Sequence, residues 1–209
     1  MCVWNEGRKG GGVFIVIEGL DGAGKSTQAD MLVERLKKSS FDAVKLKEPT
    51  NGRWGTEIRR IAEEGREHLS PDEEAELFIK DREEDSRLNI IPALSAGKIV
   101  VMDRYINSNA AYQGALGLEP EMIFKKNAGF PQPDAVFFLE LTPEEGLRRV
   151  NQRGAANAGF EKIDYLKKVH DIFNGDAGGF KKMIRIDALK PPEKIAEIVW
   201  QNVAPLLKK

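Results

Sequence analysis

Cysteine is almost absent from this chain: Cys2 is the single one among 209 residues. One thiol closes no intramolecular disulfide and builds no cysteine-clustered metal site, which excludes a disulfide scaffold and a zinc ribbon alike. Histidine is nearly as scarce, with only His68 and His170, and both read as surface residues outside any motif. Neither sign of charge dominates: 32 Lys and Arg face 33 Asp and Glu, a formal net charge of −1 with pI ≈ 6.2. Proteins that grip nucleic acid by bulk charge carry a strong basic excess, so no nucleic-acid partner is expected. No apolar run approaches the ~18 residues that span a bilayer, so no membrane partner is expected either. Residues 1–12 hold Arg8, Lys9 and several glycines but no apolar stretch, and read as a flexible tail without a signal peptide. A cytoplasmic location follows as the expectation.

What is present suffices for one core. The chain is 41% hydrophobic and 31% charged, and residues 13–209 are read as one domain. Short β-branched or apolar runs mark five strands: Phe14–Ile17, Ala43–Lys47, Lys98–Met102, Ala135–Leu139 and Met183–Ile186. Helical stretches with start signals lie between them. Ser70-Pro71-Asp72-Glu73 combines an N-cap serine, proline at the first helical position and glutamate three residues on, and Thr142-Pro143-Glu144-Glu145 repeats that pattern. Strands alternating with helices predict an α/β fold, a five-stranded parallel sheet with helices on both faces. Gly154–Gly159, small residues throughout, suits a mobile loop within a lid at about residues 148–161.

Gly19-Leu20-Asp21-Gly22-Ala23-Gly24-Lys25-Ser26 fits G-x-x-x-x-G-K-[ST], with a strand before it and a helical segment after it. Glycines let the backbone wrap a triphosphate, and the N–H groups at the helix start face the anion. Lys25 then reaches the β- and γ-phosphates and the Ser26 hydroxyl ligates Mg²⁺. No Asn-Lys-x-Asp run exists to read guanine, and Asp176-Ala177-Gly178-Gly179 lies too far downstream for a GTPase switch.

From Phe14 onward, nearly the whole chain resembles the thymidylate kinase family in the order of its motifs. Phe14–Thr27 is similar to that family's first strand and phosphate loop, including the carboxylate Asp21. Glu48-Pro49-Thr50, Gly55–Arg59, the Phe78-x-x-x-Arg82 spacing, Asp103-Arg104-Tyr105, Ser108, Ala111-Tyr112-Gln113-Gly114 and Pro133-Asp134 follow in sequence, then Arg148-Arg149 and Arg153-Gly154 in the lid. Two segments depart from the family pattern: Thr50-Asn51-Gly52-Arg53-Trp54-Gly55 replaces a common G-G-T, and Gly159-Phe160 precedes Glu161 where many bacterial members have arginine.

The resemblance implies a P-loop NTPase-type three-layer fold and transfer of phosphate from ATP to dTMP, giving dTDP, with Mg²⁺ held by Ser26 and Asp103. It assigns ATP to residues Gly19 to Thr27, and dTMP to Asp21, Glu48, Arg53, Phe78, Arg82, Arg104, Ser108, Tyr112 and Gln113. In that scheme Phe78 stacks on thymine, Arg82 donates to its O4, Gln113 also reads the base, Tyr112 crowds the ribose 2′ position and Asp21 contacts the 3′-OH. Lys25, Asp21 and Arg104, with Arg149 and Arg153 from the lid, form the expected catalytic set, because Gly22 and Ala23 supply no arginine from the loop. Arg59 is a further candidate for the acceptor phosphate, and Asp187-Ala188-Leu189 resembles the loop that packs on adenine. A homodimer is the family's usual state. Two alternatives stay open at this point: a paralogue acting on another nucleoside monophosphate, and a nucleotide-binding regulator with a weakened lid.

Overall fold

The computed structural model describes residues 11–65, 69–152 and 160–207, with only the backbone for 160–162. The first strand, β1 (Val13–Gly19), is buried along its whole length, as a strand covered on both faces must be. The phosphate loop follows and opens into α1 (Lys25–Lys38), then β2 (Ala43–Lys47), α2 (Arg53–Glu64) and α3 (Pro71–Asp85). A wide helical turn, Ser86–Ile90, connects α3 to the short α4 (Ile91–Ser95). The ring of Pro92 has no N–H and crowds the carbonyl four residues back, and the wider turn before it accommodates both effects. Then come β3 (Ile99–Asp103), α5 (Ile106–Gly114), α6 (Pro120–Lys126), β4 (Ala135–Glu140), α7 (Pro143–Gln152), α8 (Phe160–Phe173), α9 (Gly178–Lys181), β5 (Ile184–Asp187) and α10 (Pro192–Val203).

The five strands form one parallel sheet in the order β2-β3-β1-β4-β5. Side chains alternate across β1. Val13, Ile15 and Ile17 face the core under α1 and α10, with Leu32, Leu36, Ile195 and Val199, while Phe14 and Val16 face the opposite core with Ile90, Leu94, Tyr105 and Ile106. β3 and β4 flank β1 on either side, so the chain order reverses direction beside the carboxyl end of β1, where open α/β sheets place their ligands. The expected strands are found within two residues at each end. β3 is displaced by one, which makes Asp103 its last residue.

Local signals behave as their chemistry requires. Ser70 caps α3 with the reciprocal Glu73 contact complete. Thr142 accepts from the Glu145 N–H at 3.4 Å, but the Glu145 carboxylate turns instead to Arg148 and Arg149, so the second box is half made.

Candidate active site

The phosphate loop keeps its shape through close backbone contacts. At Gly22 (φ +85) a Cβ would lie 2.4 Å from the Gly146 carbonyl oxygen, and at Gly146 a Cβ would lie 2.6 Å from the Asp21 oxygen. Glycine on both sides lets α7 rest directly on the loop. Lys25, the first residue of α1, is buried and donates to the Leu20 carbonyl at 2.8 Å. Burial pushes its ammonium down to about 8, and nearby Arg104 pushes the same way against the pull of Asp21, Asp103 and Glu18.

Ser26 Oγ bonds to Asp103 Oδ2, joining the loop to the end of β3. The other carboxylate oxygen, Asp103 Oδ1, is buried and finds no partner among the described residues. A hydroxyl beside an unsatisfied carboxylate oxygen is a donor set suited to a hard divalent cation that keeps waters and phosphate oxygens as its remaining ligands. Among the described residues no cluster of three or more His, Cys, Asp or Glu could hold a metal by itself.

Glu18 is a carboxylate inside an otherwise apolar strand, and burial pushes its pKa up. It accepts from the backbone N–H of Tyr105 at 2.8 Å, from that of Ser108 at 3.1 Å, and from the Ser108 hydroxyl. These groups open α5, where no side chain of the capping residue itself does the job. A negative charge from β1 therefore satisfies orphan donors of the helix N-terminus and complements its dipole. This anchoring holds Arg104 in a left-handed backbone conformation, φ 69. Its guanidinium donates to Asp21 at 2.6 Å, to Ser108 Oγ at 3.0 Å and to the Tyr112 hydroxyl at 3.2 Å.

Beside this cluster lies a cleft of about 320 Å³. Seven of the residues assigned to the acceptor line it: Asp21, Glu48, Phe78, Arg104, Ser108, Tyr112 and Gln113. Lys47, Pro49, Ile58, Arg59, Ala62 and Glu74 complete the wall. Arg53 is instead exposed at the start of α2, with its guanidinium 4.6 Å from the centre of the Trp54 ring. Arg82 sits one layer behind the wall, fully buried, donating to Glu48 at 2.5 Å, Asn127 at 2.6 Å and Asn109 at 3.2 Å. Its Nε and the neighbouring Glu48 Oε1 are buried without partners among the described residues. Burial pushes the Glu48 carboxyl up to about 8, against the opposing pull of Arg82.

Arg149, on α7, pairs with Glu145 at 2.8 Å and donates to the Ala188 carbonyl at 3.1 Å and the Gly22 carbonyl at 3.5 Å. It ties α7 to the phosphate loop and to the turn after β5. Arg153 and Gly159 lie outside the described residues. Glu18, Glu74, Asn109 and Asn127 were not singled out from the sequence. A signal existed for Glu18 alone, an acid embedded in the run Phe-Ile-Val-Ile-Glu.

A parallel sheet with a phosphate loop at its central strand, and a cleft that presents Arg104 to that loop at the same carboxyl edge, defines a P-loop phosphotransferase. A family model described as thymidylate kinase matches residues 17–199. The chain is 44% identical over 196 residues to a probable thymidylate kinase of Archaeoglobus fulgidus, covering 93% of this chain and 96% of that one. It is 42% identical to a thymidylate kinase of Desulfotalea psychrophila (94% and 96% covered) and 48% identical to one of Xanthomonas oryzae pv. oryzae (80% and 73% covered). The chain belongs to the thymidylate kinase family.

The Glu18 arrangement carries its own test. Glu18→Gln leaves one acceptor oxygen for three donors, so a donor at the start of α5 loses its partner. We expect a loss of about 1–3 kcal/mol in urea denaturation, together with a raised KM for the acceptor and little change in KM for ATP. Unchanged stability and an unchanged acceptor KM would remove Glu18 from this role.

Proposed function

We infer that the phosphate loop takes ATP and the adjoining cleft takes dTMP, and that the protein phosphorylates dTMP to dTDP. The observation that carries this reading is the 2.6 Å contact between Asp21 of the loop and Arg104 of the cleft, which brings donor and acceptor sites to one point.

The acceptor phosphate has a second pKa of about 6, so at pH 7 it is largely dianionic and already nucleophilic. No general base is required, which accords with a cleft lined without histidine among the described residues. The enzyme's task is to hold two polyanions in line and to screen their repulsion. Lys25 meets the β- and γ-phosphates, Arg104 clamps the acceptor phosphate, and Asp21 takes the sugar 3′-OH. An acceptor oxygen then attacks the γ-phosphorus as the bond to the β-phosphate oxygen breaks, releasing ADP.

Phe78 stacks on thymine, and Arg82, held behind the cleft wall with its Nε unpartnered among the described residues, has to turn into the cleft to meet O4. Gln113 reads the same edge, Tyr112 crowds a ribose 2′-OH, and Glu48 holds Arg82 in place. Arg53 and Arg59 add positive charge on α2. Arg149 and Arg153 meet the charge on the transferring group from the lid side. Ser26 and Asp103 are the residues that would hold Mg²⁺, which when bound screens the phosphate charge. We further propose a homodimer, as the family resemblance suggests, and a cytoplasmic location. Among the described residues no helix is long and apolar enough to cross a membrane.

The direct test is a coupled assay of ADP release across a panel of nucleoside monophosphates. dTMP should give the highest kcat/KM, at least ~10-fold above dCMP, the discrimination expected of a base-reading contact. A better rate with a purine monophosphate would overturn the assignment.

Lys25 adds a pH dependence of defined sign. Its ammonium is charged below about 8 and neutral above, so ATP affinity falls as pH rises through that value. Titration calorimetry from about pH 7 to about pH 9.5 should show this weakening in the wild type. Lys25→Arg should remove it, since guanidinium stays charged throughout.

A further inference from the structure

Behind the cleft runs a chain of buried polar side chains whose hydrogen bonds have only one possible direction. Arg82 is a pure donor, so the Asn109 atom facing it at 3.2 Å must be the oxygen. The nitrogen of Asn109 then faces Gln113 at 2.9 Å, which makes that atom of Gln113 its oxygen. The nitrogen of Gln113 is left to face the Glu74 carboxylate, a pure acceptor when ionised, at 3.3 Å. Asn127 is locked the same way, its oxygen on Arg82 at 2.6 Å and its nitrogen on the Ile123 carbonyl at 2.8 Å. Amide orientations are ordinarily a choice between two fits. Here a cation at one end and a carboxylate at the other leave one.

We infer that this direction-locked relay sets the base selectivity of the acceptor cleft, with Asn109 as the positioning residue that transmits the direction to Gln113. A free glutamine cannot discriminate between pyrimidines. The edge of a 2,4-dione places an acceptor beside a donor, a 4-amino pyrimidine places a donor beside an acceptor, and rotating the amide by half a turn serves either. Holding the amide at both ends removes that rotation. Gln113 keeps a second N–H and a second lone pair in one fixed order, and the order suits one edge and opposes the other. All members of the relay are at most 5% exposed, so water does not relax the lock.

The inference rests on reading the cleft as the acceptor base site, and the experiment separates the two. The double variant N109D/E74Q reverses the relay while keeping its hydrogen bonds. The new carboxylate at position 109 accepts from Arg82 and from the Gln113 nitrogen, and the new amide at position 74 donates to the Gln113 oxygen. Kinetics with saturating ATP should show the dTMP-to-dCMP ratio of kcat/KM falling at least ~10-fold from wild type, through KM rather than kcat. Asn109→Ala, which unlocks the amide without reversing it, should lower the ratio less. Side-chain amide NMR supplies a readout independent of activity: contacts from the Gln113 NH₂ reach residue 74 in the wild type and residue 109 in the double variant. A wild-type ratio in both variants overturns the inference. If Phe78→Ala meanwhile raises KM for dTMP, the cleft reading survives that result; if it does not, both fall together.

Discussion

One ion pair, Asp21 to Arg104, joins the two halves of the site, and much of the surrounding structure exists to hold it. A carboxylate in a phosphate loop repels the ligand unless a cation answers it. Arg104 supplies that cation from the end of the neighbouring strand, in a backbone conformation that non-glycine residues adopt at a cost. Glu18 offsets the cost from below by satisfying the first N–H groups of α5, so the helix start and Arg104 are fixed together. The central strand thus shapes loop and cleft at once: its last residues become the loop, and its one acid anchors the start of α5.

The chain as a whole is nearly neutral, and charges of both signs are crowded at the carboxyl edge of the sheet. Lys25, Arg59, Arg104 and Arg149 gather around the loop and cleft together with Asp21, Glu48 and Glu74, while Asp81 and Asp85 are buried outside its wall. The buried acids are tethered. Glu48 pairs with Arg82, and Asp81 accepts from the backbone and hydroxyl of Thr50 at 2.8 and 2.6 Å, fixing the segment that follows β2. Removing Arg82 would leave Glu48 to take up a proton in a dry interior and would strip Asn109 and Asn127 of their donor, so the variant loses stability. Changes at Arg82 therefore act on stability, and Phe78, which lines the cleft, is the cleaner probe of it.

Much of this was legible in the sequence. The five strands, the Ser70 cap and the loop are local signals, carried by period, by capping chemistry and by glycines at fixed spacing. Motif order carried the family and seven of the cleft residues. What stayed hidden depends on contacts between distant segments. Residues four apart on a helix share a face, as Phe78 and Arg82 do on α3; in the structure Phe78 lines the cleft and Arg82 lies behind it, because Glu48, Asn109 and Asn127 draw the guanidinium inward. Gly146 belongs to no motif, and only its contact with Asp21 shows why no side chain fits there. Asn127 lies outside every motif, and only the fold brings it to Arg82.

The measurement closest to the central claim is a double-mutant cycle on Asp21→Asn and Arg104→Lys, following kcat/KM for dTMP at saturating ATP. If the pair couples loop and cleft as a unit, the double variant loses less than the two single losses combined, with an interaction term of at least about 1 kcal/mol. Losses that add within about 0.5 kcal/mol would show two independent residues and contradict the account.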